Sequence, residues 1–314
     1  MNGGAVIIAG ATASGKSALA VDLAEALDGV VINADSMQVY REFSILTARP
    51  GAAETARAPH RLYGVLPAAE ACTAARWRDM ALAEIAAARE AGRLPVLVGG
   101  TGLYFQALTE GIAPVPEIPP EIRVEARARH AHLGGEAFRA ELARRDPGMA
   151  ARLAAGDSQR LIRAWEVIEA TGVSLAEWQR REASGGGLDA PPFKLVLAPP
   201  RDALYAACDA RVTDMLAHGA LDEVAALVAL GLDPDLPAMK ALGVREFARH
   251  LAGEITLETA VAAVQQATRN YAKRQLTWFR HRMADARTCK SLYTKELSRR
   301  ILEETRRFLL TASG

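Results

Sequence analysis

The stretch GATASGKS, residues 10–17, decides the fold of this 314-residue chain. It fits the phosphate-loop pattern G-x-x-x-x-G-K-[ST] at every fixed position. The apolar run Ala5 to Ala9 before it predicts a buried strand, and the apolar residues of Ser17 to Leu27 recur at helical spacing. A strand, a glycine-rich loop and a helix in this order turn backbone N–H groups and the positive end of a helix dipole toward a phosphate.

The residue types in this loop suit an anion. Gly10 and Gly15 allow conformations and close approaches that a side chain blocks. Lys16 can neutralise phosphate charge, and the Ser17 hydroxyl can ligate Mg²⁺, which we expect as the cofactor. The predicted phosphate-binding residues are Gly10, Ala11, Thr12, Ala13, Ser14, Gly15, Lys16 and Ser17. The motif indicates a phosphate ligand without identifying it as ATP.

Strands and helices alternate through the first part of the chain. Val30 to Asp35 predicts a buried strand, Leu94 to Gly102 predicts a strand that breaks into a Gly-Gly turn, and Ala74 to Ala91 predicts a helix between them. This alternation predicts an α/β fold, a P-loop NTPase-like parallel sheet flanked by helices. Ligands bind beyond the carboxyl ends of such strands, so the phosphate loop, residues 35–38 and residues 99–101 should share one rim.

The pattern changes after Ile112. Four prolines in Ala113 to Glu121 predict a linker, residues 121–181 have only helical patterns, and a glycine-rich run begins at Ser184. Phe193 to Pro199 predicts a strand that rejoins the sheet, followed by helices at roughly 201–218, 221–230, 238–252, 256–282 and 291–312. We therefore predict a core made of 1–115 and 188–314, with an inserted all-helical subdomain at 116–187 and a helical C-terminal region.

Composition limits the function classes. The formal charge of +1 argues against a chain that binds polyanions over its whole surface, but residues 269–300 hold ten Lys or Arg against Asp285 and Glu296. Such a stretch is either a solvated helix face or a contact for nucleic acid or membrane. The three cysteines are odd in number and far apart, which fits free thiols in a cytoplasmic protein. No apolar run is long enough to span a bilayer.

Several polar residues leave two interpretations open. Asp35 fits a helix N-cap as well as a general base or metal contact. Thr101 fits an N-cap as well as a hydroxyl donor to phosphate. Arg160 and Arg163 share one helix face with Gln159 close by, which suits either solvent or RNA. The strand before Thr101 ends in Gly-Gly-Thr without the acid that usually anchors Mg²⁺ in NTP-hydrolysing enzymes, which weakens that interpretation.

Together these pieces resemble the tRNA dimethylallyltransferase family. The resemblance covers nearly the whole chain and rests on six motifs in order: GATASGKS (10–17), DSMQVY (35–40), LPVLVGGTGLYFQAL (94–108), DSQRLIRAWEV (157–167), ALGVREF (241–247) and KRQLTWFR (273–280). It implies transfer of a dimethylallyl group from its diphosphate to the exocyclic amine of the adenine 3′ of the anticodon, without ATP. The phosphate loop would then hold the diphosphate leaving group.

The resemblance also implies roles for individual residues. Asp35 would take the proton or a hydrogen bond of the adenine amine, and Lys16, Thr101 and Arg211 would complete the catalytic set on the diphosphate. Contacts to the tRNA anticodon stem-loop would come from Asp35, Ser36, Met37, Gln38, Thr101, Arg123, Gln159, Arg160, Leu161, Ile162, Arg163, Lys240, Ala241, Leu242, Gly243, Val244 and Arg245. We expect a cytoplasmic monomer that binds tRNA and dimethylallyl diphosphate but no membrane. A nucleotide or small-molecule kinase with the same loop is the alternative.

Overall fold

The computed structural model describes residues 4–181 and 187–312, so the predicted glycine-rich break at Ser184–Gly186 lies outside the described residues. The chain divides into two compact units. One unit is Met1–Thr109 together with Gly187–Gly314, and the other is Glu110–Gly186. The predicted insertion began at residue 116, within the proline-rich linker.

A six-stranded parallel sheet forms the centre of the larger unit, as predicted. Its strands are β1 (Val6–Gly10), β2 (Gly29–Asn33), β3 (His60–Arg61), β4 (Leu94–Gly99), β5 (Phe193–Leu197) and β6 (Arg287–Cys289), in the order β3-β2-β4-β1-β5-β6. Strand β1 pairs with β4 and β5, with Val6 opposite Val96 and Phe193. All residues of β1, β2 and β4 are buried, which explains their continuous apolar sequence.

Thirteen α-helices occur along the described residues. They are α1 (Lys16–Ala26), α2 (Ala52–Thr55), α3 (Ala74–Glu90), α4 (Gly102–Thr109), α5 (Pro120–Arg145), α6 (Pro147–Arg152), α7 (Ser158–Thr171), α8 (Leu175–Trp178), α9 (Arg201–Ala217), α10 (Ala220–Ala229), α11 (Val244–Leu251), α12 (Leu257–Arg282) and α13 (Lys295–Ala312). Within the described parts of the chain, no helix has the length and apolar character needed to cross a bilayer.

Four local predictions were wrong or incomplete. Strands β3 and β6 were not predicted, because two or three residues of mostly polar type show no period. The helix predicted from residue 291 begins at Lys295, and the one predicted from residue 238 is a 3₁₀ turn, Ala238–Lys240, followed by α11. Asp35 does not end a strand, since β2 stops at Asn33.

Two apolar layers cover the two faces of the sheet. Successive side chains of a strand point to opposite faces, so Ile7 and Ile8 of β1 belong to different layers. On the Ile7 face, α3, α4 and α12 contribute fully buried aromatic side chains, among them Trp77, Phe105 and Phe279. The candidate site lies at the edge of the sheet where β1, β2 and β4 end. The two apolar layers hold these strands in place.

The unit Glu110–Gly186 has a core of its own. Its helices α5 and α7 pack around Phe138, Leu142, Leu161 and Trp165, all nearly or fully buried. Helix α5 is broken at Gly134, whose φ of 73° is non-helical and suits glycine. The four helices α5 to α8 are consistent with the helical pattern predicted for residues 121–181.

Candidate active site

The phosphate loop leaves β1 at Gly10 and enters α1 at Lys16. Gly15 is the N-cap with φ 84°, and no side chain caps the helix, so its first N–H groups are open to an anion. A Cβ at Gly15 would lie 2.4 Å from the Cβ of Tyr293, so glycine is required there for packing as well. Ala13 also has a left-handed φ of 61°, which alanine rarely adopts, so the surrounding structure must hold the loop.

Two cations and one carboxylate meet beside this loop. Lys16 Nζ lies 3.3 Å from the carbonyl oxygen of Ala11. Burial lowers the pKa of Lys16 to about 8, and the Asp35 carboxylate opposes this while the Arg211 charge adds to it. Burial also lowers the pKa of Arg211, again opposed by Asp35. The structure thus brings together three of the predicted catalytic residues, although they are far apart in sequence.

Arg211 reaches the site from α9. Its Nη2 lies 3.5 Å from the carbonyl oxygen of Leu46, at the limit of a hydrogen bond. Among the described residues, neither Arg211 nor Lys16 has a carboxylate within 4.0 Å. Two partly desolvated cations without an adjacent counter-ion favour an anionic ligand between them.

Buried Asn33 holds Asp35 in place. The Asn33 side chain accepts a hydrogen bond from the Asp35 backbone N–H at 2.8 Å and donates to the Asp35 and Leu62 carbonyl oxygens at 3.0 Å. The Trp77 indole donates to the Asn33 carbonyl at 2.8 Å. No helix follows Asp35, so the interpretation of Asp35 as a helix N-cap was wrong. The Oδ1 atom accepts from the Met37 N–H at 2.9 Å and caps a turn.

Thr101 connects the end of β4 to the loop that carries Asp35. Its hydroxyl oxygen accepts the Ser36 N–H at 2.9 Å and lies 3.3 Å from the Ser36 hydroxyl. The backbone carbonyl of Thr101 accepts from Tyr104 in the first turn of α4. Gln38 is half-buried, and its side-chain amide donates to the carbonyl oxygens of Thr47 and Ala48 at 2.9 and 3.2 Å. The start of this loop, at Asp35 and Ser36, therefore lies beside Thr101, whereas the Gln38 side chain is held by the backbone of residues 47 and 48.

Comparison with known proteins gives a family. A match to the family described as IPP transferase covers residues 38–282. A tRNA dimethylallyltransferase of Rhodospirillum centenum is 60% identical over 90% of each chain, and one of Paramagnetospirillum magneticum is 58% identical over 98% of each. The chain belongs to the IPP transferase family.

Solved structures agree with this assignment. The full-length tRNA isopentenylpyrophosphate transferase of Bacillus halodurans has a TM-score of 0.69 at 34% identity, over 98% of this chain and 99% of that one. A eukaryotic dimethylallyltransferase acting on tRNA has a TM-score of 0.73 at 27% identity, over 88% of this chain and 70% of that chain. The match to the Bacillus halodurans structure covers nearly the whole of both chains, and its range in this chain includes the parallel sheet and the helical unit.

Inside the unit Glu110–Gly186, the residues predicted to bind tRNA fall into two groups. Arg123 on α5 and Gln159 and Arg160 on α7 are exposed. Arg163 is 3.2 Å from the carboxylate of Glu166 and forms an ion pair with it. The neighbouring Leu161 is fully buried in the unit's own core, and Ile162 packs against that core. Only the first group presents side chains freely to an incoming ligand.

The predicted tRNA-binding stretch 240–245 divides in the same way. Lys240 and Arg245 are exposed, and Lys240 pairs with Asp235 at 3.0 Å. Ala241 and Val244 belong to the main core, with Leu242 half-buried between them. Gly243 is the N-cap of α11 with φ 91°. The apolar residues of this motif thus pack inside the protein and position the exposed residues, and they do not offer their own side chains to a ligand.

The basic stretch 269–300 is partly neutralised by the fold. Arg269 pairs with Asp209, Arg287 with Glu304, and Lys295 with Asp22. Other cations of the stretch line a groove of about 740 Å³ between α9 and the end of α12, namely Lys273, Arg280 and Lys290. The described residues that line this groove include no Asp or Glu.

Sequence reasoning gave no role to three polar residues that organise the site. Gln275 is buried between the phosphate loop and the end of β4, and Asn33 orients Asp35. The half-buried carboxylate of Glu223 on α10 accepts the N–H groups of residues 44–46, the loop that carries the Arg211 contact. A buried polar residue within an apolar pattern is the feature that could have indicated Gln275, since it shares a helix face with Ala272 and Phe279.

Proposed function

We propose that the protein transfers a dimethylallyl group from dimethylallyl diphosphate to the N6 amine of the adenosine at position 37 of tRNA, giving N6-dimethylallyladenosine and diphosphate. The observation that carries this proposal is the meeting of Lys16 and Arg211 with Asp35 beside the phosphate loop. Cations there suit a leaving diphosphate, and a carboxylate a short distance away suits an amine that loses a proton. The named relatives support the same reaction.

The chemical step balances at these residues. The bond between the allylic carbon and the diphosphate oxygen breaks, and its electron pair stays on the diphosphate, where Lys16, Arg211 and the loop N–H groups stabilise the charge. The lone pair of N6 forms the new carbon–nitrogen bond. One N6 proton then passes to the Asp35 carboxylate, whose Oδ1 is already engaged by Met37. Oδ2 is therefore the oxygen we assign to the proton.

Mg²⁺ fits the part of this site that would bind the diphosphate. Ser17 lies in the first turn of α1, half-buried at the loop, and a hydroxyl is the hard oxygen ligand that Mg²⁺ accepts together with phosphate oxygens and waters. When bound, Mg²⁺ supplies additional positive charge to the diphosphate. The residues of the loop would bind and orient the diphosphate, and Lys16 and Arg211 are the positive charges that the protein itself supplies.

The tRNA contact is proposed for exposed cations on both units. The target adenine must leave its stack, which costs a few kcal/mol that other contacts must supply. Arg123, Gln159 and Arg160 of the helical unit suit phosphate and base edges of the anticodon stem-loop. In the larger unit, the cations of the stretch 269–300 that have no carboxylate partner suit phosphates in the same way.

The decisive experiment supplies the purified protein with tRNA, dimethylallyl diphosphate and Mg²⁺ and analyses the nucleosides by mass spectrometry. The proposal requires N6-dimethylallyladenosine in stoichiometric amounts. The kinase alternative predicts instead that ATP is consumed and that dimethylallyl diphosphate does not bind in a calorimetric titration. Turnover of ATP without transfer would refute the proposal.

The proposal takes the protein to act as a monomer in the cytoplasm. Cys72, Cys208 and Cys289 are free thiols, and the last two are buried, which is consistent with a reducing compartment. Sedimentation of the protein with and without tRNA would test the monomeric state.

A further inference from the structure

One buried side chain of α12 connects the phosphate loop to the end of β4. Gln275 is 5% exposed. Its Oε1 accepts the Thr12 N–H at 2.9 Å, and its Nε2 donates to the Gly100 carbonyl at 2.9 Å. Both bonds are buried and join residues 263 and 175 positions apart in sequence. The amide therefore joins the two segments through its oxygen at one end and an N–H group at the other.

The connection continues from Gly100 to the acceptor side of the site. The Thr101 N–H donates to the Ala34 carbonyl at 3.2 Å, and the Thr101 hydroxyl accepts the Ser36 N–H. Asp35 lies between these two residues in the chain. The path from the diphosphate loop to the proposed base therefore runs through Gln275 and Thr101 without a gap.

The packing around Gln275 is close. A Cβ placed on Gly100 would lie 2.1 Å from Gln275 Nε2. Any residue other than glycine at position 100 would therefore displace the amide. Tyr271, one helical turn earlier, is half-buried, and desolvation and the charge of Asp35 raise the pKa of its hydroxyl while Arg274, Thr101 and Gln275 lower it. The face of α12 that meets the site thus carries a second polar group next to this bridge.

We propose that Gln275 is a positioning residue that sets the spacing between the diphosphate and the acceptor amine. This inference rests on the proposed dimethylallyl transfer and adds a residue to it. The amide is the side chain that suits the task, because it accepts at one end and donates at the other. Glutamate has the same shape but would set an oxygen against the Gly100 carbonyl oxygen. Misplacement of reacting groups by about 1 Å costs about 10²-fold in rate.

The first test is Gln275→Glu, measured in single turnovers with both substrates already bound. We expect kcat to fall by about 10²-fold, while the dissociation constants for dimethylallyl diphosphate and for tRNA stay close to those of the native protein. Gln266→Glu is the matched control, because Gln266 is exposed on the same helix. A native kcat in Gln275→Glu overturns the inference.

The second test is a double-mutant cycle, which decides the matter even if Gln275→Glu fails to fold. Gly100→Ala should displace the amide and lower kcat in the native background, yet change kcat little when combined with Gln275→Ala. Independent, multiplying effects would show that the bridge does not act through this contact. If the native protein transfers no dimethylallyl group at all, it is the proposed function that fails, which keeps the two outcomes apart.

Discussion

The rim around Lys16 and Asp35 and the helical unit Glu110–Gly186 use polar residues in opposite ways. At the rim, functional groups are half-buried and held by fully buried amides, those of Asn33 and Gln275. In the helical unit, the core is apolar and the candidate contacts are exposed side chains on its surface. A braced, desolvated group fixes geometry, whereas an exposed arginine contributes mainly long-range, salt-dependent attraction. Substitutions in the rim should therefore change rate, and those in the helical unit should change affinity.

The largest expected effect is that of Lys16→Ala. The leaving diphosphate would lose a cation of the loop that holds it, and we expect a loss as large as that of an arginine finger in phosphoryl transfer, about 10³–10⁵ in kcat. Steady-state transfer to tRNA measures the loss. Lys194→Ala is the control, because Lys194 pairs with Asp285 at the amino end of β5. A loss confined to KM would mean that Lys16 only binds substrate.

Asp35→Asn should have the next largest effect. Asparagine keeps an oxygen that can accept the Met37 N–H, so the turn survives while the proton acceptor is lost. Loss of a positioned base typically costs about 10²–10⁴ in rate. Binding of dimethylallyl diphosphate, measured by calorimetry, should change far less than the rate, because Asp35 affects it only through the charges of Lys16 and Arg211. Asp79→Asn on the exposed face of α3 should behave like the native protein, and near-native transfer by Asp35→Asn would leave Asp35 as a turn cap only.

The pH dependence of diphosphate affinity should be smaller but specific to the rim. Burial lowers the pKa of Lys16 to about 8 in the free protein, and a bound anion favours the charged form and so raises this pKa. Affinity should thus be highest below that pH and fall by up to about tenfold per pH unit above it, as binding must take up a proton. The phosphate groups, with pKa near 6, do not titrate in this range.

Calorimetry in buffers of different ionisation enthalpy would count that proton directly. Lys16→Arg keeps its charge throughout and should remove the dependence. If the native protein binds the diphosphate equally well at pH values below and above the Lys16 pKa, the charge of Lys16 does not contribute to binding.

The smallest effects should come from the helical unit. Arg160→Ala should flatten the salt dependence of tRNA affinity by about one unit of slope, because one phosphate contact is lost. Arg163→Ala should flatten it less, since Arg163 is already paired with Glu166. Neither should change kcat at saturating tRNA. Arg249→Ala, an exposed arginine paired with Glu254, is the control, and a slope unchanged by Arg160→Ala would remove this residue from the interface.

Much of the fold was predictable because it depends on local pattern. Strands β1, β2, β4 and β5 are short, mainly apolar runs, and burial along the whole of β1, β2 and β4 makes those runs nearly continuous. Strands β3 and β6 escaped prediction because an edge strand of two or three residues has no pattern of its own and exists only by pairing with β2 or β5.

The candidate site was predictable in its residue types but not in its supports. Lys16 and Thr101 follow strand ends, so parallel topology alone predicts that they approach each other. Arg211 was proposed only through the family resemblance, and its arrival at the site depends on how α9 packs. The ion pair of Arg163 with Glu166 was likewise not predictable from local sequence. Because of it, we expect Arg163 to contribute less to RNA binding than Arg160.

The sequence by itself determined the glycine-rich loop between β1 and α1, the parallel sheet and the family, because glycine conformations, apolar periods and ordered motifs are local properties of the chain. Only the tertiary structure decided how Asp35 is held, which arginines are free and that Gln275 joins the two sides of the site. These are contacts between residues up to 263 positions apart, and no local pattern specifies the partner of a buried amide. The requirement that every buried polar group find a hydrogen bond is met only when the whole core is assembled.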